Sequence, residues 1–320
     1  MSLLAHWEPM RRPAPDGAIM RARGAAVGSV LLAAVCFGTT GTAQTLGAAG
    51  IDPLLLGAAR VAIGGALLAA LLGAEVARGP RRRARRPGLT TVLLVVLGAL
   101  GIAAYQPTFF TGTAENGVAV GTIVALGSAP AFTGLLEWLV LRSAPSRRWF
   151  ASTSLAAVGV VLLSGVFSGG SGTASGGVSA AGLAASAGAG AAYALYAVCG
   201  KLLLERGVTP VAAMGAQFGT AALLALPVLL AAGLERLTGA LPAVLWLGVV
   251  TVALAYTFFA RGLRVLPAAT VSTLTLVEPA TATLLGVAVL GERLTVGAVT
   301  GVAVLIAAVL LLVLPGGRRG

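Results

Sequence analysis

The chain has 320 residues, of which 58% are apolar and 10% charged, and its mean hydropathy is +0.96. A soluble core of that length could not enclose so much apolar surface, so most of it must face lipid. The formal charge of +12 would suit nucleic acid, but the basic residues fall in short blocks between apolar stretches, which is the pattern of a membrane-orienting signal.

Residues 1–24 carry Pro9, Pro13, Pro15, Gly17 and four arginines and are expected to form a disordered cytoplasmic tail. The segment from Met20 onward, MRARGAAVGSVLLAAVCFGTTGTAQ, has the make-up of a cleaved secretion signal. Further apolar stretches follow without a soluble domain, so it is read as the first span. Ten stretches are long enough to cross about 30 Å of hydrocarbon: 25–46, 53–77, 89–110, 118–141, 149–167, 179–204, 210–232, 241–260, 268–290 and 296–314. Cys36 and Cys199 both sit inside apolar runs, where a small, weakly polar residue packs well. No disulfide, metal or other cofactor is expected.

With the N-terminus inside, threading the chain through ten spans places 19 of the 22 basic residues in cytoplasmic segments, among them the block Arg81 to Arg86, Arg142, Arg147, Arg148 and Lys201. Lysine and arginine bias sets topology, so both termini are expected in the cytoplasm of a bacterial cell, with the chain in the inner membrane. Trp138 and Trp149 flank one cytoplasmic connection as interfacial anchors. Glu75 and Glu137 lie near arginines at span ends, where interfacial pairing is expected. The outer loops carry Asp52, Glu115, Glu235 and Glu292.

Ten spans divide into two copies of five, and an odd copy length inverts the second copy. GIDPLLLGAAR parallels GVTPVAAMGAQ at a separation of 157, setting Pro53 against Pro210 and Arg60 against Gln217. GSAPAFTGLL parallels LVEPATATLL at a separation of 149, setting Pro130 against Pro279. The expected organisation is a first repeat over 25–167, a Gly/Ser linker over 168–178, a second repeat over 179–314 and a short tail over 315–320. Small-residue rows suit close helix packing: Ala58, Ala62, Ala66, Ala70 and Ala74; Gly182, Ser186 and Gly190; Gly297 and Gly301.

The ninth span carries the anomaly. Glu278 lies about 15 Å deep at 1.5 Å per residue, near the bilayer centre. A charge there costs roughly 2.5–3.5 kcal/mol, so it faces a cavity or a partner. Pro279 lacks an N–H and frees the carbonyl about four residues earlier, near Thr275. Two readings stay open: a structural kink with a buried ion pair, or a glutamate that touches substrate or protons.

This ending, VEPATATLLGVAVLGERLTVGAVTGVAVLIAAVLLL, together with GSAPAFTGLL and the two five-span halves, resembles EamA-type carriers of the drug/metabolite transporter superfamily over about residues 25–314. Arg142-Ser143 stand where the second half has Gly291-Glu292. The resemblance implies an all-α membrane protein of ten transmembrane helices in two inverted repeats, with a central cavity, that exports amino acids or other small metabolites.

Polarity selects the residues that could line such a cavity. They are Glu278, Arg60, Gln44, Tyr105, Gln106, Tyr193, Tyr196 and Tyr256, with helix breaks at Pro107, Pro130 and Pro279. Arg60 is the second deep charge, and a direct or water-bridged link to Glu278 is expected; its alternative is a snorkelling arginine. The tyrosines could equally be packed rings with satisfied hydroxyls. An enzyme is poorly supported, since His6 is the only histidine and no Walker A sequence is present. The expected mechanism is alternating access, with spans four and nine bending at their prolines and Glu278 as a candidate for proton coupling. The expected partners are a small-molecule substrate and the bilayer, with a homodimer left open. A lipid or lipid-linked flippase is the alternative.

Overall fold

A computed structural model of the chain describes residues 16–78, 87–164, 179–293 and 295–314. Eleven α-helices run through them: α1 (Asp16–Gly47), α2 (Pro53–Arg78), α3 (Leu89–Leu141), α4 (Arg147–Leu163), α5 (Ala180–Glu205), α6 (Pro210–Ala232), α7 (Leu241–Gly248), α8 (Ala255–Val265), α9 (Ala268–Thr275), α10 (Val277–Leu290) and α11 (Val296–Val313). A 3-10 turn over Leu234–Ala240 leads into α7, and a π-helical stretch over Val249–Leu254 joins α7 to α8. The expected tail boundary at residue 24 falls inside α1. The Gly/Ser linker, the block Arg81 to Arg86 and the two end tails, apart from residues 16–24, lie outside the described residues.

Among the described residues, eight helical stretches are long and apolar enough to cross a membrane. One is α3, whose 53 residues would reach about 80 Å if straight. It doubles back instead. Gly117 has φ 79° and ψ 156°, which only glycine adopts without strain, and a methyl on Gly121 would lie 2.8 Å from the Thr113 Cα across the reversal. By contrast, Pro107 and Pro130 keep helical backbone angles, so the breaks expected there are replaced by the one at Gly117. A proline inside a transmembrane helix is tolerated where neighbouring helices and small local adjustments meet the freed carbonyl.

The halves repeat each other down to their caps. Gly50 and Gly207 stand 157 residues apart with φ of 83° and 82°. Two residues on, Asp52 accepts from the Leu55 N–H at 2.9 Å and Thr209 from the Ala212 N–H at 3.1 Å, each just before an N1 proline. At the separation of 149, Ser146 and Thr295 cap α4 and α11 through the N–H groups of Trp149 and Ala298, both at 3.1 Å.

The left-handed residue that closes the preceding helix is Gly291 (φ 71°) in the second half but Arg142 (φ 56°) in the first. A side chain in that conformation costs roughly 1–2 kcal/mol. Arg142→Gly is therefore expected to raise stability by about 1 kcal/mol, read as a higher thermal midpoint in detergent. A lower midpoint would show that the arginine head group outweighs the backbone strain.

Packing between halves is self-complementary. A methyl on Gly65 would lie 2.9 Å from the Cβ of Ala222, its own equivalent 157 residues on. Between α4 and α11, Ser152 Oγ donates to Ala308 O at 2.7 Å, and the equivalent pair, Gly301 and Gly159, meets backbone to backbone. Gly182, Ser186 and Gly190 bring α5 against both limbs of α3, where they meet Asn116, Gly112 and Ala125. The alanine row of α2 does not pack as expected, because Ala66 and Ala70 are exposed. Gly64 and Gly65 make the contact instead, fitting against Val252 and Phe218, since a glycine lets the facing backbone approach more closely than an alanine does. The largest buried side chains, Phe218, Phe259, Leu203, Met214 and Leu274, fill the middle of the bundle.

Candidate functional site

The site is built on the interruption between α9 and α10. Pro279 cannot donate to Thr275, and the backbone leaves α-helical pairing at Leu276 (ψ −4°), whose N–H turns to Thr273 O at 3.2 Å. Side chains settle around the gap: Thr275 Oγ1 donates to Ser272 O at 2.8 Å, and the Tyr193 hydroxyl meets Thr275 Oγ1 at 3.1 Å. Helix α1 lies directly on the break at Gly38, where a methyl would come 2.5 Å from Thr281 Cβ and 2.9 Å from Glu278 O.

Glu278 faces a cavity that it shares with Arg60, Tyr105, Gln106, Tyr193, Tyr196 and Tyr256. Seven of the eight predicted side chains are thus brought together. Gln44 is not: it lines a separate space near the end of α1 with Thr45, Pro53 and Phe110. Its position on α1 is a full turn beyond Thr40, the last residue of that helix to reach the central cavity.

Arg60 does not pair with Glu278 directly; among the described residues the ion pair is Lys201 with Glu205 at 3.8 Å. Instead the guanidinium lies on the Gln106 amide, whose oxygen, turned to face it, accepts from Arg60 Nε at 2.9 Å and Nη2 at 3.1 Å. Gly57 makes room for this, since a methyl there would press on the Gln106 amide carbon at 2.9 Å. The two charges therefore stand on the walls of one cavity without neutralising each other by contact. Gln217, the counterpart of Arg60 in the second half, is fully buried and points elsewhere, its Nε2 reaching Leu94 O at 3.5 Å.

Aromatic rings close one side. Tyr256 packs at a tilt on Phe218 with centroids 4.1 Å apart, meets Phe37 at 5.0 Å and shares a hydroxyl contact of 3.0 Å with Tyr196. Tyr193, Tyr196 and Tyr256 are packed rings with paired hydroxyls, and all four tyrosines line the cavity. Its volume is about 70 Å³, well below the roughly 300–1,000 Å³ of ordinary ligand pockets. A metabolite therefore needs helix movement to enter.

Residues that sequence reasoning missed include Phe37, Thr40, Phe218, Val252, Ser272 and Thr275. Thr275 was foreshadowed by Pro279, and Thr40 by the polar run FGTTG; Phe218 and Val252 gave no signal, being ordinary apolar residues of spans. Two charges also have other roles than expected. Glu137 is buried and binds backbone N–H groups of α9, and Lys201, expected in a cytoplasmic segment, is buried inside α5. Trp149 is likewise buried, its ring over Gly134 and its Nε1 donating to Ala269 O at 2.9 Å, while Trp138 stays exposed.

Comparison with known proteins agrees with this architecture. The model of the "EamA-like transporter family" matches residues 24–165 and again 180–314. The "Uncharacterized transporter YwfM" of Bacillus subtilis (strain 168) is 37% identical over 286 residues, covering 88% of this chain and 92% of the relative. A solved structure described only as "Crystal structure of protein" has the same fold, with a TM-score of 0.73 at 19% identity over 91% of this chain and 97% of the other.

Proposed function

Because this chain belongs to the EamA-like transporter family, we propose that it is a secondary carrier that exports amino acids or similar small metabolites by alternating access. In this reading the bundle makes ten crossings, with α3 counted twice and the 17-residue α4 added, and the halves are inverted relative to each other. Both termini lie in the cytoplasm, placing the arginine-rich connections on the inner face of a bacterial inner membrane.

One observation carries the substrate class. A cation, Arg60, and an acid, Glu278, stand apart on the walls of one small cavity edged by tyrosine hydroxyls. A zwitterion can engage both at once, which a neutral sugar or a simple cation cannot. Glu278 is also the candidate for exchanging protons during transport.

A specific feature supports a second reading. An apolar cavity of about 190 Å³, lined by Leu54, Ala58, Leu224 and Val228, shares Val61, Ile102 and Gln106 with the central one. That adjacency suits an amphipathic or lipid-like substrate with its hydrocarbon part held sideways.

A counterflow screen in proteoliposomes, offering amino acids, nucleosides, sugars and cationic drugs together, separates the two. Accumulation of one or more amino acids is expected. Translocation of a fluorescent phospholipid with no soluble compound accumulated would replace the carrier reading with the second one.

A further inference from the structure

Two buried charges grip the α8–α9 turn from opposite sides. Lys201 Nζ donates to Leu263 O and Leu266 O, each at 3.1 Å, at the carboxyl end of α8. Glu137 accepts from the N–H groups of Ala268 and Ala269 at 2.7 and 2.8 Å, at the amino end of α9. Each charge complements the helix end it meets, and each bond is charge-assisted. Trp149 adds its bond to Ala269 O, and Thr153 a hydroxyl contact of 2.8 Å with Thr273.

What they hold is a short half-helix with cavities on both sides. Ala269 and Thr270 line a cavity of about 550 Å³ toward the arginine-rich end, together with Arg23, Glu137 and Trp149. Ser272 and Thr275 of the same eight-residue helix line the central cavity beside Glu278. Helix α9 is the partition between them.

The opposite end is held by different groups, Asn116 and Glu115 binding Ser179 at 2.7–3.1 Å, and the gripping residues have no like counterpart there. At the separation of 149, Glu137, Trp149 and Thr153 correspond to Gly286, Ala298 and Val302. At the separation of 157, Lys201 corresponds to Gln44. Three of these four carry no side-chain donor or acceptor, and none carries a charge.

We propose that Glu137 and Lys201 form a latch that keeps α9 shut across the cytoplasmic mouth. With that mouth latched the resting carrier faces outward, and releasing the latch is the step that admits substrate from inside. Glu137 and Lys201 are positioning residues: they act through α9 on the place of Glu278. The proposal rests on the inverted-repeat carrier reading and its orientation.

The test uses the full chain with Cys36→Ala, Cys199→Ala and Thr40→Cys, reacted with a membrane-impermeant maleimide from either face of oriented vesicles. The latched parent is expected to react faster from outside. Glu137→Gln keeps the shape but offers one acceptor to two N–H groups. It is expected to raise reaction from the cytoplasmic face about tenfold and to lower it from outside. Glu137→Asp, which keeps both oxygens, is expected to lie between parent and Glu137→Gln. Lys201→Met should act in the same direction as Glu137→Gln. If Glu137→Gln fails to fold, Thr153→Val carries the test, with an expected rise of about threefold. Folded variants with the parent's cytoplasmic reactivity would overturn the latch. A parent that reacts faster from the cytoplasmic face would instead overturn the outward-facing orientation, while the ratio of variant to parent still reports on the latch.

Discussion

Proteoliposomes carrying Glu278→Gln are expected to lose substrate-driven pH change altogether and to transport at roughly one hundredth of the parent rate or less. The reason is the way the carboxyl group is held. It lies on the cavity wall beside the helix break, and among the described residues no side chain forms a hydrogen bond or ion pair with it. No structural bond is lost on replacing it with an amide of the same shape, and a neutral group there avoids the cost of a deep carboxylate. The variant should therefore remain folded while failing to carry, which separates this site from a structural one. A protein that still moves protons with substrate after the exchange would remove Glu278 from the coupling step.

The second large effect is structural and falls on Gly65. A methyl there overlaps the Phe218 carbonyl oxygen and comes 2.9 Å from Ala222 Cβ. Backbone cannot swing aside as a side-chain end can, so α2 and α6 must separate along their shared seam. Gly65→Ala is expected to lose about 1–3 kcal/mol, the usual cost of overpacking. The control is Gly41→Ala in α1, where nothing lies within 4 Å and the better helix former should be neutral or stabilising by about 0.5–1 kcal/mol. Thermal unfolding in detergent, followed by loss of the monodisperse gel-filtration peak, measures both. Equal midpoints would mean that the seam is more compliant than its geometry indicates.

The contrast between these positions shows why some features were legible in the sequence and others were not. Spans and the interrupted ninth helix follow from chemistry local to the chain. Twenty apolar residues need lipid, and Pro279 removes one N–H wherever it sits. The reversal in α3 was legible as a boundary between two spans but not as a single unbroken run of helix around Gly117. Polarity alone could not tell Gln44 from Gln106. Both are amides inside spans, yet one turns to an outer pocket and the other onto Arg60.

The same holds for charge. Counting arginines and lysines yields an expectation of which connections share a face, because that bias acts on each segment as it enters the membrane. It could not foresee that Glu137 and Lys201 would be buried, since their partners are backbone groups 131 and 62 residues away. By itself the sequence determined a helical membrane protein of duplicated halves with an acid beside a helix break, because apolar length and proline act within a few residues. Only the tertiary structure decided which polar side chains share a cavity and which hold a helix end. Those outcomes depend on where separate helices meet, and glycine contacts such as those of Gly38 and Gly65 set that meeting to within fractions of an ångström.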